Sequence, residues 1–425
     1  MKRIIIHYLV NPGRLVDILS GKETSYRTVT EVKDWGAVIT KVIIHLGKII
    51  PVNSITRYTF KVHVQRIDKR LTTPLLGEGY RPLTKAYVCN EAGFPAENKD
   101  KYICLEMKIG PTEKLGPVLH FDGGANHRID FHYTITQVED IKLDTETISE
   151  LIVDTFAGDI KKGVEDFSTG KFTYHDITLN YADYVPRKSE QKKPLIIWLH
   201  GGGEGGTDPT LPLSANKAVS FITNDIQSYF EGAYILVPQA PTRWMDGFTG
   251  KADGTSIYQE ALMALIKTYI SKHPAIDVTR IYVGGASNGG YMTLLMTRDY
   301  PGYFAGAFPV CEGLDDSLIT DTDLKNMITT PTWFVHASQD PVLPPQCYTL
   351  LTYNRMVEAG ADNVHLSLYE HVHDKSGLYK HSDGSPFQYH PHCIWIYLFN
   401  NDPSMEVNGK TMTIMEWLAD QSLNG

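Results

Sequence analysis

The sequence predicts an α/β fold, in which a mostly parallel sheet carries helices on both faces, preceded by an all-β sandwich. Before about residue 170, short stretches with apolar residues at every second position are separated by Pro, Gly, Asn and Asp turns. Beyond it, apolar strands alternate with helical patterns, which is the order of elements that forms a parallel sheet. We therefore predict two domains, 1–169 and 170–425.

The first domain has the strand pattern of a sandwich. Its alternating stretches are Ala37–Leu46, Tyr58–Ile67, Lys101–Ile109 and Phe131–Val138. The beginning of the chain, Met1–Val10, has a basic end and an apolar patch. Because the patch is short and lacks a small-residue cleavage site, it predicts a first strand and not a signal peptide.

The second domain alternates strands with helices. The predicted strands are Leu195–Leu199, Tyr234–Val237, Ile281–Gly284, Ala305–Val310, Thr332–His336 and Val364–Tyr369. The predicted helices are Ser256–Lys272, Tyr291–Arg298 and Tyr348–Ala359. We expect the polar segment Tyr184–Pro194 to join an antiparallel pair of strands.

Composition and charge limit the partners of this chain. With 42% hydrophobic and 21% charged residues, the 425 residues can form separate cores. The net charge of −9 argues against nucleic acid or an anionic membrane as a partner. No apolar run approaches the roughly 20 residues of a membrane span. The sequence is equally consistent with a secreted protein whose signal peptide has been removed and with a cytoplasmic protein. It is also consistent with a homo-oligomer.

The five cysteines contain no C-x-x-C pair, so we expect neither a zinc knuckle nor a disulfide framework. A bridge between Cys89 and Cys104 would require the two residues to lie on adjacent strands. We expect no metal and no cofactor.

One short motif is typical of a catalytic serine. The apolar strand of Arg280–Gly284 leads into Gly285-Ala286-Ser287-Asn288-Gly289, a G-x-S-x-G pattern, and then into a predicted helix. A serine on such a strand-to-helix turn adopts a strained backbone, and the flanking glycines remove side chains that would collide with neighbouring elements. Ser287 is therefore the predicted nucleophile.

A glycine-rich loop supplies a candidate oxyanion hole. The strand Leu195–Leu199 ends in His200-Gly201-Gly202-Gly203-Glu204-Gly205-Gly206, and glycines let backbone N–H groups approach a developing negative oxygen. We predict Gly203 as one donor, from the stretch 202–204, and Asn288 as the other. No Gly-Lys-Ser/Thr follows the glycines, which argues against a phosphate-binding loop.

The acid and the base follow the serine along the chain in such folds. Asp340 stands just beyond the strand Thr332–His336 and is the predicted acid, with Glu312 as the fallback. Five histidines lie downstream: His371, His373, His381, His390 and His392. The residues alone leave His373 and His392 nearly tied, and the two H-x-H spacings also admit a metal site.

Four motifs resemble those of bacterial α/β-hydrolase esterases related to polyhydroxybutyrate depolymerases and feruloyl esterases, in the subgroup with an N-terminal immunoglobulin-like domain. They are Leu199–Glu204, Val237–Pro241, Gly284–Gly290 and the His-x-x-Trp of His392–Trp395. The family's Gly-His-x-x-Trp motif implies that His392 is the base. This chain departs from the motif at Pro391, where Gly is usual, and at Ile394, where a small polar residue is usual.

The resemblance implies an α/β-hydrolase fold and a serine carboxylesterase that acts on small to medium acyl esters. Feruloyl or acetyl esters of plant polysaccharide are candidate substrates. Trp244 follows the predicted strand Tyr234–Val237, and Tyr389 lies in the loop before His392. We predict that both residues line the substrate-binding cleft. A serine peptidase of the prolyl oligopeptidase type and an inactive binding protein remain alternatives, although the roughly 180 front residues do not repeat as propeller blades do.

Overall fold

The computed structural model describes residues 24–423, so the strand predicted at Met1–Val10 lies outside the described residues. The described chain divides into two compact units. The first unit comprises residues 24–29, Ile39–Ile109 and Asp130–Ile160, and the second comprises Thr30–Val38, Gly110–Ile129 and the chain from Lys161. The division at 169/170 falls inside a strand, Ser168–Tyr174, and stays a prediction.

Among the described residues, thirteen strands precede residue 165, and two of them form a hairpin within the second unit. In chain order they are β1 (Ser25–Lys33), β2 (Gly36–Pro51), β3 (Phe60–Ile67), β4 (Leu75–Arg81), β5 (Leu83–Cys89), β6 (Lys99–Met107), β7 (Leu119–Phe121), β8 (Asn126–Arg128), β9 (Asp130–Gln137), β10 (Ile141–Lys142), β11 (Thr147–Ile148), β12 (Ile152–Val153) and β13 (Phe156–Lys161).

Two sheets form the β-sandwich of the first part of the chain, in which most neighbouring strands are antiparallel and β13 runs parallel to β1. One has the order β13-β1-β2-β6-β5 and the other β12-β9-β3-β4. Tyr26 of the first sheet and Tyr133 of the second are almost completely buried, and their rings meet edge to face with centroids 6.0 Å apart. The predicted alternating stretches all lie in these sheets, because a half-buried strand needs an apolar residue at every second position.

The remaining elements build the second unit. Its later strands are β14 (Ser168–Tyr174), β15 (Ile177–Tyr184), β16 (Lys193–Leu199), β17 (Tyr234–Gln239), β18 (Ile276–Ala286), β19 (Gly306–Val310), β20 (Thr332–Ala337), β21 (Val364–Tyr369), β22 (Val372–His373), β23 (Gln388–Tyr389), β24 (Ser404–Val407) and β25 (Lys410–Thr413). Its helices are α1 (Leu211–Ala215), α2 (Asn224–Tyr229), α3 (Gln259–Lys272), α4 (Asn288–Asp299), α5 (Asp321–Met327), α6 (Thr349–Glu358), α7 (Trp395–Phe399) and α8 (Ile414–Asp420).

The large sheet has the order β14-β15-β17-β16-β18-β19-β20-β21 and is parallel from β17 onward. β15 pairs antiparallel with β17, and β17 lies between β15 and β16. The expectation that Tyr184–Pro194 joins an antiparallel pair was therefore wrong, because the strands on either side of this segment are not neighbours. Each strand and helix predicted for the second domain is present, with ends shifted by a few residues.

Helices cover both faces of this sheet, as the sequence predicted. Along β16, Leu195, Ile197 and Leu199 belong to one buried cluster together with α3 and α4. Ile196 and Trp198 belong to the opposite cluster together with α7 and α8. Successive side chains of a strand point to opposite faces, so an unbroken apolar strand serves both cores.

Two sequence expectations concern smaller features. Cys89 and Cys104 do lie on adjacent strands, β5 and β6, but Cys89 pairs with Tyr102 and Cys104 with Tyr87, and both thiols are free. None of the helices among residues 24–423 is both long and apolar enough to cross a membrane.

Candidate active site

Ser287 lies on a strained turn between β18 and α4. Its φ of 57° and ψ of −113° are unusual for a residue with a side chain, and such strain costs on the order of 1–3 kcal/mol. The turn is held because the Ser287 N–H donates to the carbonyl of Val310 at 2.8 Å. The hydroxyl is therefore presented at the carboxyl end of the sheet, at the N-terminus of a helix of 12 residues.

The glycines beside Ser287 are required by the closeness of β16. A Cβ atom at Gly289 would overlap the carbonyl oxygen of Leu199, and one at Gly285 would lie 2.6 Å from the same oxygen. No side chain fits at either position without moving backbone. This steric fit is the physical reason for the G-x-S-x-G pattern.

Asp340 lies just after β20 and is almost completely buried. One carboxylate oxygen accepts from the N–H groups of Val342 at 2.8 Å and Leu343 at 3.2 Å. The other accepts from His392 Nδ1 at 2.7 Å and lies 3.3 Å from Nε2 of His336. Burial by itself raises the pKa of this carboxyl, but the hydrogen bonds from His336 and His392 outweigh it and hold the pKa well below its usual range.

His392 connects the acid to the serine. Its Nε2 lies 3.0 Å from Ser287 Oγ, and its Nδ1 lies 2.7 Å from Asp340 Oδ2. Because the carboxylate can only accept, Nδ1 carries the proton and Nε2 is free to accept the serine proton. The sequence separations are 105 and 52 residues, so the fold alone brings the three side chains together.

The other candidate bases and acids do not join this chain of hydrogen bonds. The backbone of His373 donates to the hydroxyl of Tyr397 on α7. The carboxylate of Glu312 accepts from the Leu314 N–H at 2.7 Å and the Thr349 hydroxyl at 2.9 Å. Burial raises the pKa of Glu312 to about 7. Glu312 therefore stabilises the loop after β19 and has no bond to His392.

The histidine pairs 371/373 and 390/392 have the H-x-H spacing that also admits a metal site. Within residues 24–423, the one group of three potential ligand atoms comprises Cys311, Asp340 and His392. Two of these side chains already bond to each other, and burial raises the pKa of the Cys311 thiol well above its usual value. A protonated thiol is a poor metal ligand.

The side chain of His200 fixes the glycine-rich loop after β16 through two hydrogen bonds. His200 Nε2 accepts from the Ala240 N–H at 3.1 Å, and Nδ1 donates to the Gly201 carbonyl at 2.7 Å. Burial lowers the pKa of His200 to about 4, so the imidazole is neutral and fixed in one tautomer. The Glu204 N–H is used within the loop, where it donates to the Gly201 carbonyl at 3.3 Å.

Gly202 and Gly203 face different neighbours. A Cβ atom at Gly202 would lie 3.8 Å from Cβ of Asn288, the residue after the serine. One at Gly203 would lie 3.0 Å from Asn126 and 3.5 Å from the ring of Phe121. Among the described residues, neither N–H group has a hydrogen-bond partner. A side chain at Gly202 would thus point toward Asn288, and one at Gly203, the predicted donor, toward the β7–β8 hairpin.

Sequence reasoning missed the β7–β8 hairpin, which belongs to the second unit and fixes this loop. The Asn126 N–H donates to the Gly203 carbonyl, and its side-chain amide donates to Glu204 Oε1, both at 2.7 Å. Burial raises the pKa of Glu204 to about 7, although hydrogen bonds from Asn126 and Asn216 lower it. No motif or spacing in the sequence marks Asn126, because its partner lies 78 residues away.

The two aromatic residues predicted to wall the cleft are buried instead. Trp244 is fully buried, and its ring packs against His200 and Tyr258. Its backbone N–H donates to Asn288 Oδ1 at 2.6 Å, so it fixes the residue after the serine. Tyr389 is also buried and packs against Phe387. Both belong to the cores beneath the loops, a distinction that depends on packing and not on sequence pattern.

Comparisons with known proteins agree with this fold. Residues 25–150 match the family described as esterase Ig-like N-terminal domain, and residues 243–382 match the prolyl oligopeptidase family. The chain thus has an α/β-hydrolase fold preceded by a domain that matches the esterase immunoglobulin-like family. A solved structure described as a thermostable esterase is similar over 94% of this chain and 99% of its own, with a TM-score of 0.76 and 25% identity.

Two curated relatives match part of the catalytic region. Feruloyl esterase B of Neurospora crassa is 34% identical over 131 residues, which are 29% of this chain and 41% of the relative. Poly(3-hydroxyalkanoate) depolymerase C of Paucimonas lemoignei is 28% identical over 141 residues, which are 31% of this chain and 30% of the relative. The matches thus span less than half of each relative. They confirm the predicted resemblance and support a serine hydrolase.

Proposed function

We propose that the protein is a serine carboxylesterase that uses Ser287, His392 and Asp340. The observation that carries the proposal is the unbroken chain of hydrogen bonds from Ser287 Oγ through His392 to Asp340. A serine, a neutral imidazole and a buried carboxylate in this order are the groups that acyl transfer requires. The similarity to a thermostable esterase along nearly the whole chain supports the same class.

In the proposed reaction, Ser287 Oγ attacks the ester carbonyl while His392 Nε2 takes its proton. The imidazolium then donates this proton to the leaving alcohol, and Asp340 keeps Nδ1 protonated and oriented. Water activated by His392 releases the acid from the acyl-enzyme. Neither step needs a cofactor.

The developing oxyanion would be bound by the Asn288 N–H and by an N–H of Gly202 or Gly203. The N–H groups of Gly202 and Gly203 are available because neither has a hydrogen-bond partner within the described residues. Losing one such donor costs about 2.7–4 kcal/mol of transition-state stabilisation in enzymes of this type. The Asn126 contacts keep the loop in place before substrate arrives.

For substrates, we propose small to medium acyl esters, with feruloyl and acetyl esters of plant polysaccharide as the first to assay. The feruloyl esterase relative motivates this choice. Purified protein should hydrolyse 4-nitrophenyl acetate or butyrate, and Ser287→Ala should lower kcat at least about 10³-fold with an unchanged circular dichroism spectrum. A variant that keeps activity within about tenfold of the parent would rule out Ser287 as the nucleophile.

A serine peptidase is the second candidate, because residues 243–382 match the prolyl oligopeptidase family. The front part of this chain is a sandwich of two sheets and does not form the repeated blades of a propeller. Parallel assays with an aminoacyl 4-nitroanilide and with a 4-nitrophenyl ester separate the two. Faster turnover of the anilide would favour the peptidase.

A further inference from the structure

Arg243 lies beside the proposed oxyanion site. It precedes Trp244, whose N–H is bonded to the Asn288 side chain, so the loop that carries Arg243 is fixed to the residue after the serine. A Cβ atom at Gly202 would lie 3.7 Å from Arg243 Nε and 3.8 Å from Asn288 Cβ. The guanidinium group and Asn288 therefore flank the same glycine.

The β7–β8 hairpin holds Arg243 from the other side. Arg243 Nη2 donates to the Gly124 carbonyl at the tip of the hairpin, at 3.2 Å. The same hairpin is bonded to the glycine-rich loop through Asn126. These bonds give the guanidinium a defined position although the side chain is only half-buried.

Arg243 differs from its neighbours in how it uses its charge. The guanidinium of Arg128, on the same hairpin, donates hydrogen bonds to Asp208, Thr210 and Ser214. Arg243 forms no ion pair within residues 24–423, and its side chain makes one hydrogen bond, to Gly124. A guanidinium has five N–H donors, so most of those on Arg243 are unused.

The nearby carboxylates are engaged elsewhere. Asp122 accepts from the N–H groups of Gly124 and Ala125 and lies 2.9 Å from His127 Nε2. Asp246 accepts from the Thr242 hydroxyl and from the Arg243 backbone N–H. A positive charge with unused donors thus lies beside Gly202, in the loop that would bind the oxyanion, and no carboxylate of the described chain forms an ion pair with it.

We propose that Arg243 forms an anion subsite that selects esters carrying a carboxylate near the scissile bond. The planar fork of a guanidinium matches a carboxylate, with two parallel hydrogen bonds. The chain as a whole has a net charge of −9, which repels a dianion more than a monoanion and so favours a carboxylate over a phosphate. This inference names a substrate class and rests on the proposed esterase activity.

The test compares esters that differ only in charge. On the alcohol side, 4-acetoxybenzoate is matched with 4-acetoxybenzamide. On the acyl side, the mono-4-nitrophenyl ester of adipic acid is matched with its terminal amide. For at least one pair we expect the parent protein to have about tenfold higher kcat/KM for the carboxylate, which is the size of a modest charge-assisted pair.

Arg243→Met should abolish this preference and leave kcat/KM for the neutral ester within about twofold, because a subsite for charge does not act on a neutral substrate. Arg243→Lys should retain part of the preference, since it keeps the charge but not the fork. Arg187→Met is the matched control, because it removes the same charge at an exposed position. It should leave the preference intact.

Three results would overturn the subsite. The first is that the parent protein hydrolyses both members of each pair equally. The second is that Arg243→Met slows the neutral and the charged esters by the same factor. The third is that Arg187→Met also removes the preference for the carboxylate. The second result would mean that Arg243 only tethers the hairpin, and the third would mean a long-range field. If the parent hydrolyses none of the four esters, the proposed function itself fails and the subsite fails with it.

Discussion

The Asp340 carboxylate is stabilised in its ionised form by every polar group that contacts it. Two backbone N–H groups and two imidazoles offset the cost of burying the charge. An acid that stays ionised can keep His392 in the tautomer with a proton on Nδ1. The second imidazole, His336, donates from Nε2, which also lies 3.0 Å from the Leu343 carbonyl, and its Nδ1 lies 2.8 Å from the Thr349 hydroxyl, so it holds the acid within a buried network.

His392→Ala should lower kcat about 10³-fold or more, whereas His373→Ala should change it far less. The reason is geometric, because His392 Nε2 lies 3.0 Å from Ser287 Oγ while His373 is bonded through its backbone to Tyr397. Steady-state kinetics with a 4-nitrophenyl ester measures both. Losses in the reverse order would mean that the base is misassigned, and equal losses together with inactivation by a chelator would mean a metal site.

The sequence predicted Ser287 and Asp340 because a short motif and the end of a strand mark them, whereas only the family's His-x-x-Trp motif separated His392 from His373. It could not find Asn126 or Arg243. Each of these depends on a contact with a distant segment, as between Arg243 and Gly124, 119 residues apart. Trp244 was misjudged for a related reason, since an aromatic residue after a strand has the same sequence pattern whether it faces the cleft or the core.

At the scale of elements, β16, β18 and α4 form the support of the site. β16 and β18 pair in parallel, so the carbonyl of Leu199 lies directly against the glycines around Ser287. The spacing of apolar residues predicted these elements, because an unbroken apolar strand and the periodicity of a helix are local features of the sequence. They could not predict that β17 lies between β15 and β16, since strand order depends on long-range pairing.

Gly289→Ala should destabilise the protein strongly or prevent folding, because a Cβ atom there would overlap the backbone of Leu199. Gly250→Ala is the matched control, since a Cβ atom at Gly250 would have no neighbour within 4 Å. Its free energy of unfolding should stay within about 0.5 kcal/mol of the parent value. Urea unfolding compares the two. Equal stability of both variants would contradict the close approach of β16 to the turn.

At the scale of the whole molecule, two buried glutamates lower the stability as the pH rises, whereas the buried His200, with its pKa lowered to about 4, acts in the opposite direction between about pH 4 and 6.5. Burial raises the pKa of Glu204 and of Glu312 to about 7, from 4.5 in the unfolded chain. Between these values the folded protein binds more protons than the unfolded chain, so their stabilising contribution is complete below pH 4.5 and is lost as the pH rises through 7. The loss is on the order of 3 kcal/mol per group.

Substituting both glutamates, Glu204→Gln and Glu312→Gln, should therefore flatten the fall in the free energy of unfolding between pH 4.5 and 7. Asp340 has the opposite effect, in a lower pH range. Because its pKa is depressed, it contributes stability that is lost as the pH falls below 3.8. Urea titrations at several pH values measure the slope, with the exposed Glu97→Gln as control. An unchanged slope in the double variant would show that both carboxyls are ionised in the folded protein.

Covalent labelling by a fluorophosphonate tests the central claim most directly, because this reagent reacts with a serine only when a neighbouring base activates it. The parent protein should bind one equivalent and lose its activity, and peptide mapping by mass spectrometry should place the adduct on Ser287. Ser287→Ala should take up none. Absence of labelling in the folded parent, or an adduct on any other residue, would contradict the assignment of this site as a serine hydrolase centre.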